Sequence, residues 1–81
     1  MYKNKAENGL NNAAGAKIKE LRKALPNNVS QRELADTFQR FGLDIDKNAV
    51  QRIESGQRFI TDIELKIIAE VFEISIDELL A

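Results

Sequence analysis

Apolar residues recur at helical spacing through most of this 81-residue chain, and no segment alternates in the manner of a strand. In "AGAKIKELRKAL", Ile18, Leu21 and Leu25 stand at i, i+3 and i+7, which predicts a first helix. Pro26 and the pair Asn27–Asn28 stop it, because proline has no amide hydrogen and restricts the residue before it. Three later helices share one starting signal. Ser30 with Glu33, Thr61 with Glu64 and Ser75 with Glu78 each fit the S/T-x-x-E capping box. In that box the hydroxyl accepts from the third helical amide and the glutamate reaches back to the cap. The first box is followed by Leu34, Phe38 and Phe41 on one stripe, closed by Gly42 as a C-terminal cap. The second is followed by Ile63, Ile67, Ile68, Val71 and Phe72, and the third opens a short terminal helix with Leu79 and Leu80 turned inward. Asp46 and Gly56 bracket one more helix. The pattern predicts an all-α chain of five helices with short connections and no internal repeat. Residues 1–13, rich in Asn, Gly and Lys, read as a flexible N-terminal arm, and residues 14–81 as one domain.

The helix after Asp46 has an unusual polar face. At about 100° per residue, Lys47, Gln51, Asn48 and Arg52 fall at roughly 0°, 40°, 100° and 140°. Ala49, Ile53 and Val50 fall at roughly 200°, 240° and 300°, on the opposite side. Val50 and Ile53 therefore anchor a compact patch of four long polar side chains, with Glu54 outside it. These are the side-chain types that match base edges in the major groove: Arg or Lys suits guanine, and Asn or Gln suits adenine.

Composition at first argues against a nucleic-acid partner, since the formal net charge is −1. The distribution of charge argues the other way. Residues 1–60 hold eleven Lys/Arg and seven Asp/Glu, a balance of +4, whereas residues 61–81 hold one Lys and six Asp/Glu, a balance of −5. One face can then meet phosphate while another stays acidic. With no cysteine and no histidine, disulfides, thiol catalysis and the usual zinc sites are excluded. A small helical domain also has little room for a pocket that shifts the pKa of a carboxylate or lysine, so no enzyme and no cofactor are expected. No apolar run reaches the length of a membrane span and the N-terminus lacks a signal-peptide core, which points to a cytoplasmic protein without a membrane partner.

The capped segment "SQRELADTF", a connection and the polar-faced helix together make a helix-turn-helix with its second member presented outward. Gln31 sits in the first turn of the leading helix, where amide donors and the positive dipole end attract phosphate. With "KIKELRK", "SQRELA", "VQRIESGQR" and "DIELKIIAEVFEISIDELL" in this order, residues 16–81 resemble the phage lambda repressor and Cro type of helix-turn-helix domain, the Xre family. The resemblance implies a five-helix lambda-repressor-like fold and binding as a homodimer to double-stranded DNA at a near-palindromic operator. It places Lys47, Asn48, Gln51 and Arg52 at base edges, and Gln31, Ser55 and Arg58 at phosphate. It also implies that Arg22 and Glu54 pair to tie the first helix to the end of the third. The function implied is a transcriptional regulator, a repressor of phage or mobile-element type. The competing reading is a protein-interaction module, such as an antitoxin or adaptor on the same fold, suited by the acidic and apolar C-terminal half.

One departure from the family pattern stands out. "QRFGLDID" lengthens the turn between the motif helices by roughly five residues relative to the tight three- or four-residue form. Either the leading helix runs a turn further, through Phe41, or the turn becomes a loop; in both cases Leu43 and Ile45 are expected to pack inward, and Arg40 is a further candidate for phosphate. The arm, with Lys3 and Lys5, is either a disordered tail or a strand-following extension that adds sequence-blind affinity. Phe72, Leu79 and Leu80 either supply a dimer contact or complete the core of the monomer.

Overall fold

Serine or threonine starts three of the five described helices, as their spacing requires. A computed structural model describes residues 12–81; residues 1–11, the greater part of the expected arm, lie outside the described residues. The helices are α1 (Gly15–Ala24), α2 (Gln31–Arg40), α3 (Lys47–Glu54), α4 (Asp62–Val71) and α5 (Ile76–Leu80), with no strand among the described residues. Both arms of the capping box form at Ser30/Glu33 and at Thr61/Glu64. Asp46 caps α3 by accepting from the Ala49 amide at 2.8 Å. At Ser75 the hydroxyl accepts from the Glu78 amide, while the Glu78 carboxylate lies 3.5 Å from that same hydroxyl.

The helix ends share a second device. After α2, α3 and α4 the chain steps into the left-handed region at Gly42, Gly56 and Glu73. In each case the next amide reaches back to the third-last helical carbonyl: Leu43 to Phe38, Gln57 to Arg52 and Ile74 to Ala69, at 2.8 to 3.0 Å. Glycine removes the Cβ penalty at the first two sites. After α2 the motif also carries Leu43 onto Phe38, and both are buried.

This settles the lengthened connection. α2 ends at Arg40 with Phe41 as its cap, and residues 41–46 form a loop rather than an added helical turn. Leu43 and Ile45 fill the core beneath it, and Gln39 donates to the Ile45 carbonyl at 2.9 Å, which braces the loop against α2.

The core gathers Ile18 from α1, Leu34, Ala35 and Phe38 from α2, Val50 and Ile53 from α3, Leu65, Ile68 and Ala69 from α4, and Leu79 from α5. Phe38 and Phe72 meet edge to face, with ring centroids 6.4 Å apart. Phe72 and Leu79 thus complete the monomer core, and Leu80 packs half-buried against it. Two residues of the expected apolar stripes face outward instead: Ile63 is 71% exposed and Phe41 45%. For Ile63 the reason is phase. Leu65, Ile68 and Ala69 at i, i+3 and i+4 set the buried side of α4, and Ile63 lies about 200° from Leu65 around the axis. No helix among the described residues is long and apolar enough to cross a membrane.

Asn12 belongs to the fold, although the sequence groups it with the arm. It is 1% exposed, its Nδ2 donates to the carbonyls of Ile53 (3.1 Å) and Arg58 (2.8 Å), and its Oδ1 accepts from the Gly15 amide (2.6 Å). The start of α1 therefore abuts the end of α3. Gly15 is needed there, because a Cβ would collide with the Ile53 carbonyl oxygen.

Candidate nucleic-acid interface

Val50 and Ile53 are 0% and 1% exposed, so α3 is pinned to the core along one side. Its other side follows from that phase. Lys47, Asn48, Gln51 and Arg52 are all exposed and adjacent, on an 8-residue helix fixed at its start by Asp46 and at its end by the turn through Gly56. Rigid backing matters because a side chain reads a base edge only if its helix does not shift. The four residues expected to share a face do share it.

Glu54, on the same helix, is buried and points inward. Its Oε2 accepts from Arg22 Nε at 2.7 Å, and its Oε1 accepts from Arg22 Nη2 and Gln31 Nε2, both at 3.0 Å. Arg22 Nη1 donates to the Val29 carbonyl at 2.9 Å. The hydrogen bond and charge of Glu54 hold the Arg22 guanidinium above its ordinary pKa despite burial. One carboxylate thus joins α1, the start of α2 and the end of α3, and the angle of the exposed face is set by this network.

The expected phosphate residues fare differently. Gln31 is half-buried and gives one amide hydrogen to Glu54, which leaves its second amide hydrogen and, with the Glu33 amide taken by the Ser30 cap, the backbone amides of Gln31 and Arg32 at the start of α2. Ser55 is exposed, with its hydroxyl donating to the Arg52 carbonyl at 3.1 Å. Arg58 is not held outward. Its two terminal nitrogens donate to Glu64 at 3.1 and 2.9 Å, and one of them also to the Phe59 carbonyl. The geometry makes Arg58 a clamp between the end of α3 and the first turn of α4. Arg40 donates to the Thr37 hydroxyl at 3.1 Å, along its own helix.

The clamp has a pH signature. Burial pushes the Glu64 carboxyl up, but the Arg58 guanidinium and the Thr61 amide and hydroxyl outweigh it and hold the group below its ordinary value. A depressed carboxylate contributes stability above its unfolded pKa of about 4.3, and this is lost as pH falls through the lower folded value. Glu64→Gln keeps a capping-box side chain and removes the titration. The melting temperature of the variant is expected to fall less steeply with acidification below about pH 4.3 than that of the parent. Equal slopes in thermal melts would deny the clamp an energetic role.

Two clefts flank α3 and add residues that sequence reasoning missed. At its C-terminal end, Lys19 of α1 lines a cleft with Gln31, Gln51, Glu54 and Ser55. At its N-terminal end, Arg32 of α2 lines another with Asp36, Gln39, Asp46, Lys47 and Asn48. A signal for Lys19 was available, since it stands one turn before Arg22 and so shares the side of α1 that faces α3. The cations around the exposed face are then Lys19, Arg32, Lys47 and Arg52, against the exposed acids Asp36 and Asp46.

Comparison with known proteins agrees with this geometry. A family model described as helix-turn-helix matches residues 18–79. No curated protein and no solved structure matches the chain.

Proposed function

Since the chain belongs to the helix-turn-helix family of DNA-binding regulators, of the lambda repressor (Xre) type, we propose that it is a sequence-specific transcriptional repressor of phage or mobile-element type acting as a homodimer on a near-palindromic operator. The observation that carries the reading is the face of α3. Four long hydrogen-bonding side chains stand exposed on a helix whose back is fully buried, between two clefts lined by Lys19, Gln31 and Arg32. An idle surface helix has the same buried backing but does not need that selection of side chains.

In this reading α3 lies in the major groove, and Lys47, Asn48, Gln51 and Arg52 take base edges. Gln31, Ser55, Lys19 and Arg32 set the register through phosphate, which positions the helix without reading sequence. The acidic segment after residue 60 faces away from the duplex, as its charge requires. Repression follows from occupying the operator.

Selection from randomised duplexes, followed by titration of the winner at several salt concentrations, tests the reading. Enrichment of a two-fold-symmetric site with affinity falling steeply in salt is the expected result. Weak, sequence-blind binding would turn attention to a protein-interaction role for the same fold. Within that experiment, Lys19→Ala is expected to weaken all duplexes alike and to reduce the salt slope by about 1. A loss confined to the selected site would move Lys19 from the phosphate set to the reading set.

A further inference from the structure

One buried polar side chain, Asn12, joins the start of α1 to the end of the reading helix. It is 1% exposed and uses both ends of its amide inside the fold. Its Oδ1 accepts from the Gly15 amide, which gives α1 the side-chain cap that Ala14 does not supply. Any short acceptor meets that need. The hydrogens of its Nδ2 go elsewhere, to the Ile53 carbonyl at 3.1 Å and the Arg58 carbonyl at 2.8 Å. Those carbonyls stand on opposite sides of the turn that ends α3. Within the turn Gly56 has a φ of 82°, and its amide donates to the Ile53 carbonyl at 3.0 Å. The Gln57 and Arg58 amides donate to the Arg52 carbonyl at 2.8 and 3.2 Å. These bonds tie the turn to itself; Asn12 ties both of its sides to α1.

We infer that Asn12 is a positioning residue for DNA recognition, an inference that rests on the DNA-reading role proposed above. It holds the C-terminal half of the reading face, Gln51 and Arg52 with Ser55 just beyond, in the orientation that meets the duplex. An 8-residue helix has little more than two turns, so its two ends carry separate parts of the face. Lys47 and Asn48 stand in the first turn, which Asp46 fixes through the Ala49 amide at 2.8 Å. Gln51 and Arg52 stand toward the last turn, whose final carbonyls have no partner in the helix itself. That is where a helix frays. Asn12 takes the Ile53 carbonyl there and fastens it to the returning chain at Arg58.

The residue type fits this task. Two carbonyls need two donors and the Gly15 amide needs an acceptor, a combination that a carboxamide supplies without charge. The Arg22–Glu54 network fixes the same end of α3 through a side chain, whereas Asn12 fixes it through the backbone. A side chain that touches no base thus sets how sharply two others read.

Hydrogen exchange and operator profiling of the full chain test the assignment. Amide exchange is followed by NMR, without DNA, in the parent and in Asn12→Ala. The Gly56, Gln57 and Arg58 amides are expected to exchange roughly tenfold faster in the variant, relative to Ala49 and Val50 at the other end of α3. Competition against every single-base-pair variant of the selected operator then reads the consequence. Asn12→Ala is expected to flatten the columns that Gln51→Ala and Arg52→Ala flatten, and to leave those set by Asn48 standing. Ser75→Ala, which removes the cap of α5, is the control for lost stability and is expected to flatten none. Should Asn12→Ala not fold, Asn12→Ser, which keeps a donor and an acceptor, carries the same comparison at smaller amplitude. Exchange accelerated equally at both ends of α3, or discrimination lost evenly across all columns, overturns the assignment and leaves Asn12 as a cap of α1. Failure of the parent to select any duplex counts instead against the DNA-reading role, while the exchange pattern still decides whether Asn12 holds the turn.

Discussion

Replacing Arg22 by methionine is expected to lower the unfolding free energy by about 3–5 kcal/mol, because it strands a buried carboxylate. The Glu54 side chain is 2% exposed and that of Arg22 is 12% exposed. Without the guanidinium, Glu54 keeps a single amide hydrogen bond, from Gln31, among those described for it. A domain of this size has a total stability of about 4–12 kcal/mol, so this one change brings it near the edge of unfolding at room temperature. The double replacement Arg22→Met with Glu54→Leu is expected to recover most of the loss, since the desolvation cost of both charges disappears with them. Urea melts of the single and double variants decide the matter. A double variant as unstable as the single one would show that packing around Arg22, and not the orphaned charge, was being measured.

The recovered double variant carries a functional consequence. Glu54 also holds Gln31, and Arg22 also holds the Val29 carbonyl just before α2, so the network fixes α3 relative to both earlier helices. Loss of that bracing changes the angle of the reading face without unfolding the core. DNA affinity is therefore expected to stay reduced when stability has returned.

What could be read in the sequence was mostly local. A capping box spans four residues, a glycine stop spans two, and the polar face of α3 follows from a phase set by Val50 and Ile53 alone. Those features appear in the structure at the expected residues, except that at Ser75 only the hydroxyl arm of the capping box forms. Arg22 and Glu54 are 32 residues apart and were expected to pair only through the resemblance to the lambda repressor type; the structure joins them. Asn12 had no such guide. Its carbonyl partners lie 41 and 46 residues away, and an asparagine among Asn, Gly and Ala looks like any loop residue. The outward position of Ile63 and the pairing of Arg58 with Glu64 escaped the sequence for related reasons. Apolar character alone does not give the phase of a helix, and an arginine near a reading helix is drawn to the nearest carboxylate as readily as to phosphate. Here Glu64 stands at hydrogen-bond distance.

Replacing Asn48 or Gln51 by alanine is expected to cost about 1–3 kcal/mol on the selected operator and to relax the choice at one base pair. Stability is expected to move by less than about 0.5 kcal/mol, because both side chains are exposed and the helix is anchored from its other side. The two losses are of different kinds from that at Lys19. An amide side chain forms a bidentate pair with one adenine edge, so its removal erases a preference; a lysine at phosphate carries none. Competition against every single-base-pair variant of the operator at fixed salt separates them. Asn48→Ala should flatten one column of that profile and leave the others standing, while Lys19→Ala should lower all columns together. If Asn48→Ala instead weakens every duplex equally, the side chain acts on the backbone. The reading face would then shrink toward Gln51 and Arg52, nearer the C-terminal end of α3, where the cleft lined by Lys19, Gln31 and Ser55 already gathers donors.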